Sequence, residues 1–131
     1  MKTSYLFVYG TLLDQLENNM SVFLRANSKI IGKGYFYGKV YKISWYPGAI
    51  LSNLNTDKVY GTLVQLNTPE NALPILDDYE GFVPNNPNNS LFLRKQIGVY
   101  LNDIVYKAWV YIYNKPVNEE NRIFSGNFLK Q

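Results

Sequence analysis

The sequence predicts an α+β domain whose sheet is strongly curved or barrel-like, and three observations carry that expectation. Twelve tyrosines and seven phenylalanines in 131 residues, within a hydrophobic fraction of 47%, favour strands in a globular chain. Patterns of both periods occur in a mixed order: strand, helix, several strands, a short helix, a hairpin and a tail. Finally, three glycines interrupt one long aromatic and β-branched run, as happens where a barrel wall bends.

The elements follow in order. Ser4 to Tyr9, "SYLFVY", is a short apolar run suited to a strand buried on both faces. Leu12, Leu16, Met20 and Phe23 then recur at helical spacing, with Asp14, Glu17 and Asn18 elsewhere, so an amphipathic helix is expected from Leu12 to about Arg25 or Ala26. Ile30 to Ile43 is the long bent strand. Pro47-Gly48 reads as a turn set in an apolar stretch, and Val59 to Leu66 alternates as a strand. Thr68 and Pro69 open a helix as cap and first residue. Ala72, Leu73, Ile75 and Leu76 are its expected apolar face, and Gly81 its stop. Pro74 in its middle predicts a short or kinked helix. Val83 to Ser90 is a loop without core residues. Leu91 to Leu101 and Ile104 to Asn114 flank Asn102-Asp103 as a hairpin, and the tail segment "RIFSGNFL" is expected to dock on the body. Residues 1–131 read as one domain.

Composition narrows the chemistry. Thirteen basic against ten acidic side chains give a net charge of only +3, with the lysines scattered, which argues against nucleic acid and membrane partners. With neither cysteine nor histidine, thiolate nucleophiles, Ser-His-Asp triads and the usual zinc sites are excluded, so acid–base work falls to carboxylate, lysine or tyrosine. The N-terminal segment is a poor signal peptide and no apolar run is long enough for a membrane span, so a cytoplasmic location is expected.

Two stretches carry candidate function. The quartet Tyr-Gly-Thr-Leu occurs twice, at Tyr9 to Leu12 and at Tyr60 to Leu63. The second copy lies inside a strand pattern, with Val59, Gly61 and Leu63 on one side and Tyr60, Thr62 and Val64 on the other. It reads as wall, with a glycine at a close packing point. The first sits where a strand gives way to a helix. Backbone N–H groups from Gly10 to Leu13 would there lack helical partners and could hold a carboxylate or a polarised carbonyl. The alternative is an ordinary turn capped by Thr11. The other stretch is "LDDYEGF", Leu76 to Phe82, in which Glu80 lies among aromatics that could desolvate it and raise its pKa. Its alternative is a solvated helix end.

The ordered set "FVYGTL", "YPGAI", "LDDYEGF" and "AWVYIY", with the closing "IFSGNFL", resembles the γ-glutamylcyclotransferase-like family, which includes AIG2-like proteins and γ-glutamylamine cyclotransferases. The resemblance runs from Tyr5 to about Phe128. It implies a small mixed β-barrel with a few surrounding helices. It also implies an enzyme that closes a γ-glutamyl group to 5-oxoproline and expels an amine, without metal or organic cofactor. By the same resemblance Glu80 is the catalytic glutamate, Tyr9, Gly10, Thr11 and Leu12 form the loop holding the γ-glutamyl part, and Tyr111 lines the pocket. The implied partner is a small-molecule γ-glutamyl substrate, with no signal for oligomeric state. One departure is Phe92-Leu93-Arg94, where members commonly carry Tyr-x-Arg. The neighbouring Val83–Ser90 loop is expected to shape the same entrance. A non-catalytic binder of a small carboxylate or amino-acid-like ligand is the other reading of the pocket.

Overall fold

Residues 3–10 and 18–130 of the computed structural model are described. Strand β1 is Tyr5–Val8, followed by helix α1, Asn19–Ala26. Strands β2 (Ser28–Lys42), β3 (Pro47–Leu51) and β4 (Lys58–Leu66) come next. Helix α2 is Pro69–Glu80, and β5 (Phe92–Leu101) and β6 (Ile104–Tyr113) form the hairpin around Asn102-Asp103. The sheet order is β3-β2-β4-β1-β6-β5, and β2 meets β5 again at Tyr35 and Tyr100. Five strands thus close into a barrel, with β3 added to β2 outside the ring. The sheet is mixed because β1 runs parallel to β6 and antiparallel to β4.

Alternation along the strands explains the two cores. Phe7, Phe36, Val59, Leu63, Val99 and Val110 fill the barrel, and Ile123 and Phe128 of the tail pack against the same cluster. Neighbouring residues point the other way: Leu6, Val64, Leu66 and Tyr111 meet Leu24 of α1 and Ala72, Leu73 and Leu76 of α2. The tail is also held by backbone bonds from Ile123 N–H to the Val40 carbonyl and from Tyr60 N–H to the Gly126 carbonyl. The docked tail and the hairpin accord with the sequence reading.

Several expectations need correction. Helix α1 begins at Asn18, whose side-chain oxygen accepts from Met20 N–H at 2.9 Å and Ser21 N–H at 3.1 Å. The positive end of its dipole is therefore there and not behind Gly10. The expected helical positions Leu12, Leu13, Asp14, Leu16 and Glu17 lie outside the described residues. Pro47 and Gly48 belong to β3; the reversal is the preceding Ser44–Tyr46, and a proline as first residue of an added strand gives up no needed N–H. Helix α2 runs for twelve residues with Pro74 inside it, and the Thr68 side chain makes no capping bond. On its face Ile75 points to water, and Asp77 takes the fourth buried place. The Val83–Ser90 loop does have an anchor, since buried Ser90 Oγ accepts the Val83 N–H at 2.8 Å.

Candidate active site

Tyr9 and Gly10, the described half of the first quartet, line a cavity beside the end of α2. Gly81 ends that helix in a left-handed conformation (φ 74°), which a residue without Cβ adopts freely. Its N–H and that of Phe82 cap the Asp78 and Asp77 carbonyls, and its own carbonyl accepts the Leu91 N–H at 2.9 Å. Glu80 is thereby placed on the wall of a cavity of about 250 Å³. The wall is mainly apolar and aromatic: Leu6, Phe7, Val8, Tyr9 and Gly10 from β1 and its exit, Trp45 to Pro47 from the turn before β3, Tyr79, Leu91, Phe92 and Tyr111.

Such a lining strips water from the one carboxylate it holds. Desolvation pushes the Glu80 carboxyl up from 4.5 to about 7. Near neutral pH its two protonation states are then similarly populated, as a group that both takes and returns a proton requires. Among the described residues no hydrogen bond or ion pair holds the Glu80 carboxylate, and Glu80 lines the cavity.

Glu80 is held in place by Asp77, one helical turn earlier. Buried Asp77 accepts Arg94 Nε at 2.7 Å and Arg94 Nη2 at 3.1 Å, a fork-to-carboxylate pairing, and also the Tyr111 hydroxyl at 2.7 Å. The Arg94 guanidinium lies 4.3 Å from the Trp109 ring centre. The last turn of α2 is thus tied to β5 through Arg94 and to β6 through Tyr111. Burial, followed by the Asp77 contact, drives the Tyr111 phenol far above its ordinary value, so it stays a neutral donor. Tyr9 extends the network within the barrel: its hydroxyl donates to the Tyr111 carbonyl at 2.6 Å and accepts the Ala49 N–H at 3.1 Å. Burial and then the nearby Glu80 charge raise its pKa as well.

Gly10 is fitted to its neighbour, since a Cβ there would come within 3.2 Å of the Pro47 ring. Tyr9, Gly10, Glu80 and Tyr111 therefore share one cavity, while Thr11 and Leu12 lie outside the described residues. The Tyr111 hydroxyl is engaged by Asp77, so Tyr111 contributes its ring and a tether. Phe92 places an apolar ring on the same wall. No residue of the Val83–Ser90 loop is among the described lining of the cavity. The second quartet is wall, as expected. A Cβ on Gly61 would lie 2.3 Å from the Val8 carbonyl oxygen and 2.9 Å from Tyr9 Cα, so that glycine lets the first copy pass close by.

Sequence reasoning missed the Asp77–Arg94 pair and the Trp45 lip. The first had a signal: Asp77 lies four residues after Leu73, on the apolar face of α2, where an unpaired carboxylate is costly. A second recess of about 550 Å³ shares Val8, Tyr9 and Gly10, but its described lining holds Lys33 and no carboxylate. Among the described residues no group of three His, Cys, Asp or Glu side chains could hold a metal ion, and no helix is long and apolar enough to cross a membrane.

A small mixed barrel flanked by two helices is also what the comparisons with known proteins find. The chain belongs to the gamma-glutamyl cyclotransferase, AIG2-like family, whose model matches residues 6–130. Its fold is similar to that of a mouse AIG2-like protein, with TM-score 0.65 at 20% identity over 91% of this chain and 82% of that one. A Pyrococcus horikoshii protein described as uncharacterised gives TM-score 0.65 at 15% identity, covering 96% of this chain and 90% of its own. YkqA from Bacillus subtilis gives TM-score 0.68 at 21% identity, covering 96% of this chain and 39% of its own. At such identities the likeness is one of fold. No curated protein matches the chain.

Proposed function

We propose that the chain is a γ-glutamyl cyclotransferase that releases 5-oxoproline and an amine from a γ-glutamyl amine or γ-glutamyl amino acid. The observation that carries this reading is Glu80, the one carboxylate in the described lining of an apolar cavity, beside Tyr9 and Gly10, with its carboxyl raised to about 7.

In the reaction the substrate's α-nitrogen attacks its own γ-carbonyl carbon. A new C–N bond closes the five-membered lactam, the bond from the γ-carbon to the leaving nitrogen breaks, and no water is consumed. The α-ammonium loses two protons in becoming the lactam nitrogen, and the departing amine gains two in leaving as an ammonium. Glu80 takes a proton from the attacking nitrogen and returns one to the leaving nitrogen. The nucleophile is already tethered, so the walls need only hold the folded conformer in which nitrogen and carbonyl meet. Backbone N–H groups at Gly10, Thr11 and Leu12 would receive the α-carboxylate or the developing oxyanion. Tyr9 and Tyr111, neutral and fixed by their hydrogen bonds, give the pocket its shape.

The test is release of 5-oxoproline from a panel of γ-glutamyl amines, γ-glutamyl dipeptides and glutathione. Turnover that falls about a hundred-fold or more in a folded Glu80→Gln variant is the expected result. Undiminished turnover in that variant removes Glu80 from the proton path. Binding of the panel without any 5-oxoproline favours the non-catalytic carboxylate binder.

A further inference from the structure

On the outer side of the barrel, β2, β4 and β5 bring a lysine and three tyrosines together. Register pairs Lys33 with Thr62 and Tyr35 with Tyr60 across β2 and β4, and Tyr35 with Tyr100 across β2 and β5. Phe36, Val59, Leu63 and Val99, next to these residues in the chain, fill the barrel, so the set points outward. It walls the recess of about 550 Å³ behind Tyr9 and Gly10, to which Asn102 of the hairpin turn and Asn127 of the tail add amides. Tyr35 is fixed by its neighbours: its ring stacks on Tyr100 at 5.4 Å, and the Lys58 ammonium lies 4.7 Å from its centre. Tyr60 remains 39% exposed. Lys33 Nζ donates to the Thr62 hydroxyl at 3.0 Å, a neutral acceptor, and forms no ion pair with a described carboxylate. The described lining holds no Asp or Glu that could serve as its counter-charge.

We propose that this recess is a second binding site, for a small organic anion that carries a flat ring. The carboxylate or phosphate of the ligand meets the Lys33 ammonium and the Thr62 hydroxyl, and its ring lies against Tyr60. The hydroxyl accepts from Lys33, so its own hydrogen is left to donate to an oxyanion. Tyr60 and Thr62 stand two positions apart on one face of β4, about 7 Å, a span that an oxyanion joined to a ring system covers. The proposal is independent of the cyclotransferase reading: beyond Val8, Tyr9 and Gly10, the recess and the Glu80 cavity share no described lining.

Calorimetric titration of the full chain with two matched pairs tests this: adenosine monophosphate against adenosine, and naphthoate against naphthamide. At least one anion is expected to bind about ten-fold or more tightly than its uncharged partner, and which one does so separates phosphate from carboxylate. Lys33→Met should abolish that preference, and Tyr60→Ala should weaken the preferred anion about five-fold or more. Glu80→Gln, which alters the other cavity, should leave its affinity unchanged. The proposal is overturned if neither anion binds better than its uncharged partner, or if the preference survives Lys33→Met. An affinity that changes with Glu80→Gln places the anion in the other cavity and overturns it equally, and an affinity indifferent to a folded Tyr60→Ala removes the ring contact. Lys33 is exposed, so Lys33→Met keeps the test decisive even where Tyr60→Ala does not fold.

Discussion

Replacing Glu80 by glutamine should make the protein more stable, and by an amount that depends on pH. The apolar cavity raises the Glu80 carboxyl from 4.5 to about 7 in the folded chain, while unfolding returns it to water. Between those two values the folded state keeps a proton that the unfolded state has already released. Stability therefore falls as pH rises through this window and stays lowered above it. At about 1.4 kcal/mol per pH unit, the full cost of the buried charge is about 3 kcal/mol. Glutamine keeps the shape and carries no charge, so the variant escapes that cost. Its advantage over the native chain should be about 1 kcal/mol at pH 5 and about 3 kcal/mol at pH 8. Urea unfolding of both proteins at the two pH values measures this. An advantage equal at pH 5 and pH 8 refutes the claim that burial controls this carboxyl, as does a variant less stable than the native chain at pH 8.

The remaining predictions concern the same pocket and its walls. With a cyclisable substrate, kcat/KM should fall as pH drops below about 7, because the base must be ionised; an acid limb near 4.5 would contradict a desolvated Glu80. Tyr9→Phe deprives the Ala49 N–H and the Tyr111 carbonyl of their partner, and should cost about 1–3 kcal/mol in denaturant unfolding; a neutral outcome would show those groups satisfied another way. Gly61→Ala sets a methyl 2.3 Å from the Val8 carbonyl oxygen. It should destabilise the chain by about 2–3 kcal/mol, and thermal melts would detect its failure to do so.

How much of this was legible in the sequence depends on the range over which each feature is encoded. The hairpin around Asn102-Asp103 and the strand Lys58–Leu66 are local: alternation and turn residues define them within ten positions. Glu80 as a desolvated carboxylate was also readable, because its aromatic neighbours Tyr79 and Phe82 adjoin it in the chain. Barrel closure was suggested by glycines, but the Tyr35–Tyr100 pairing that accomplishes it spans sixty-five positions and has no local mark. The Pro47-Gly48 dipeptide misled because it has the composition of a turn, while the neighbouring Ser44–Tyr46 carries the reversal and Pro47 begins β3. Pro74 lies inside a helix that nevertheless keeps the expected bounds, because packing of Ala72, Leu73 and Leu76 against the sheet outweighs the loss of one N–H. The Asp77–Arg94 pair was the least accessible part of the site, since seventeen residues and two element types separate its members.

Glu80 and the Trp45 turn rest on different supports. Glu80 is carried by a helix end fastened to two strands of the barrel through Arg94 and Tyr111, whereas Trp45 stands on a short surface turn held by two backbone bonds to one carbonyl. A sequence can therefore rewrite residues 44–46 without loosening the helix that carries the carboxylate. The turn is free to drift while the helix end that carries Glu80 is inherited intact, and the scaffold is modular along that line. An engineer wishing to reshape the mouth of the cavity would begin at the turn and leave α2 alone.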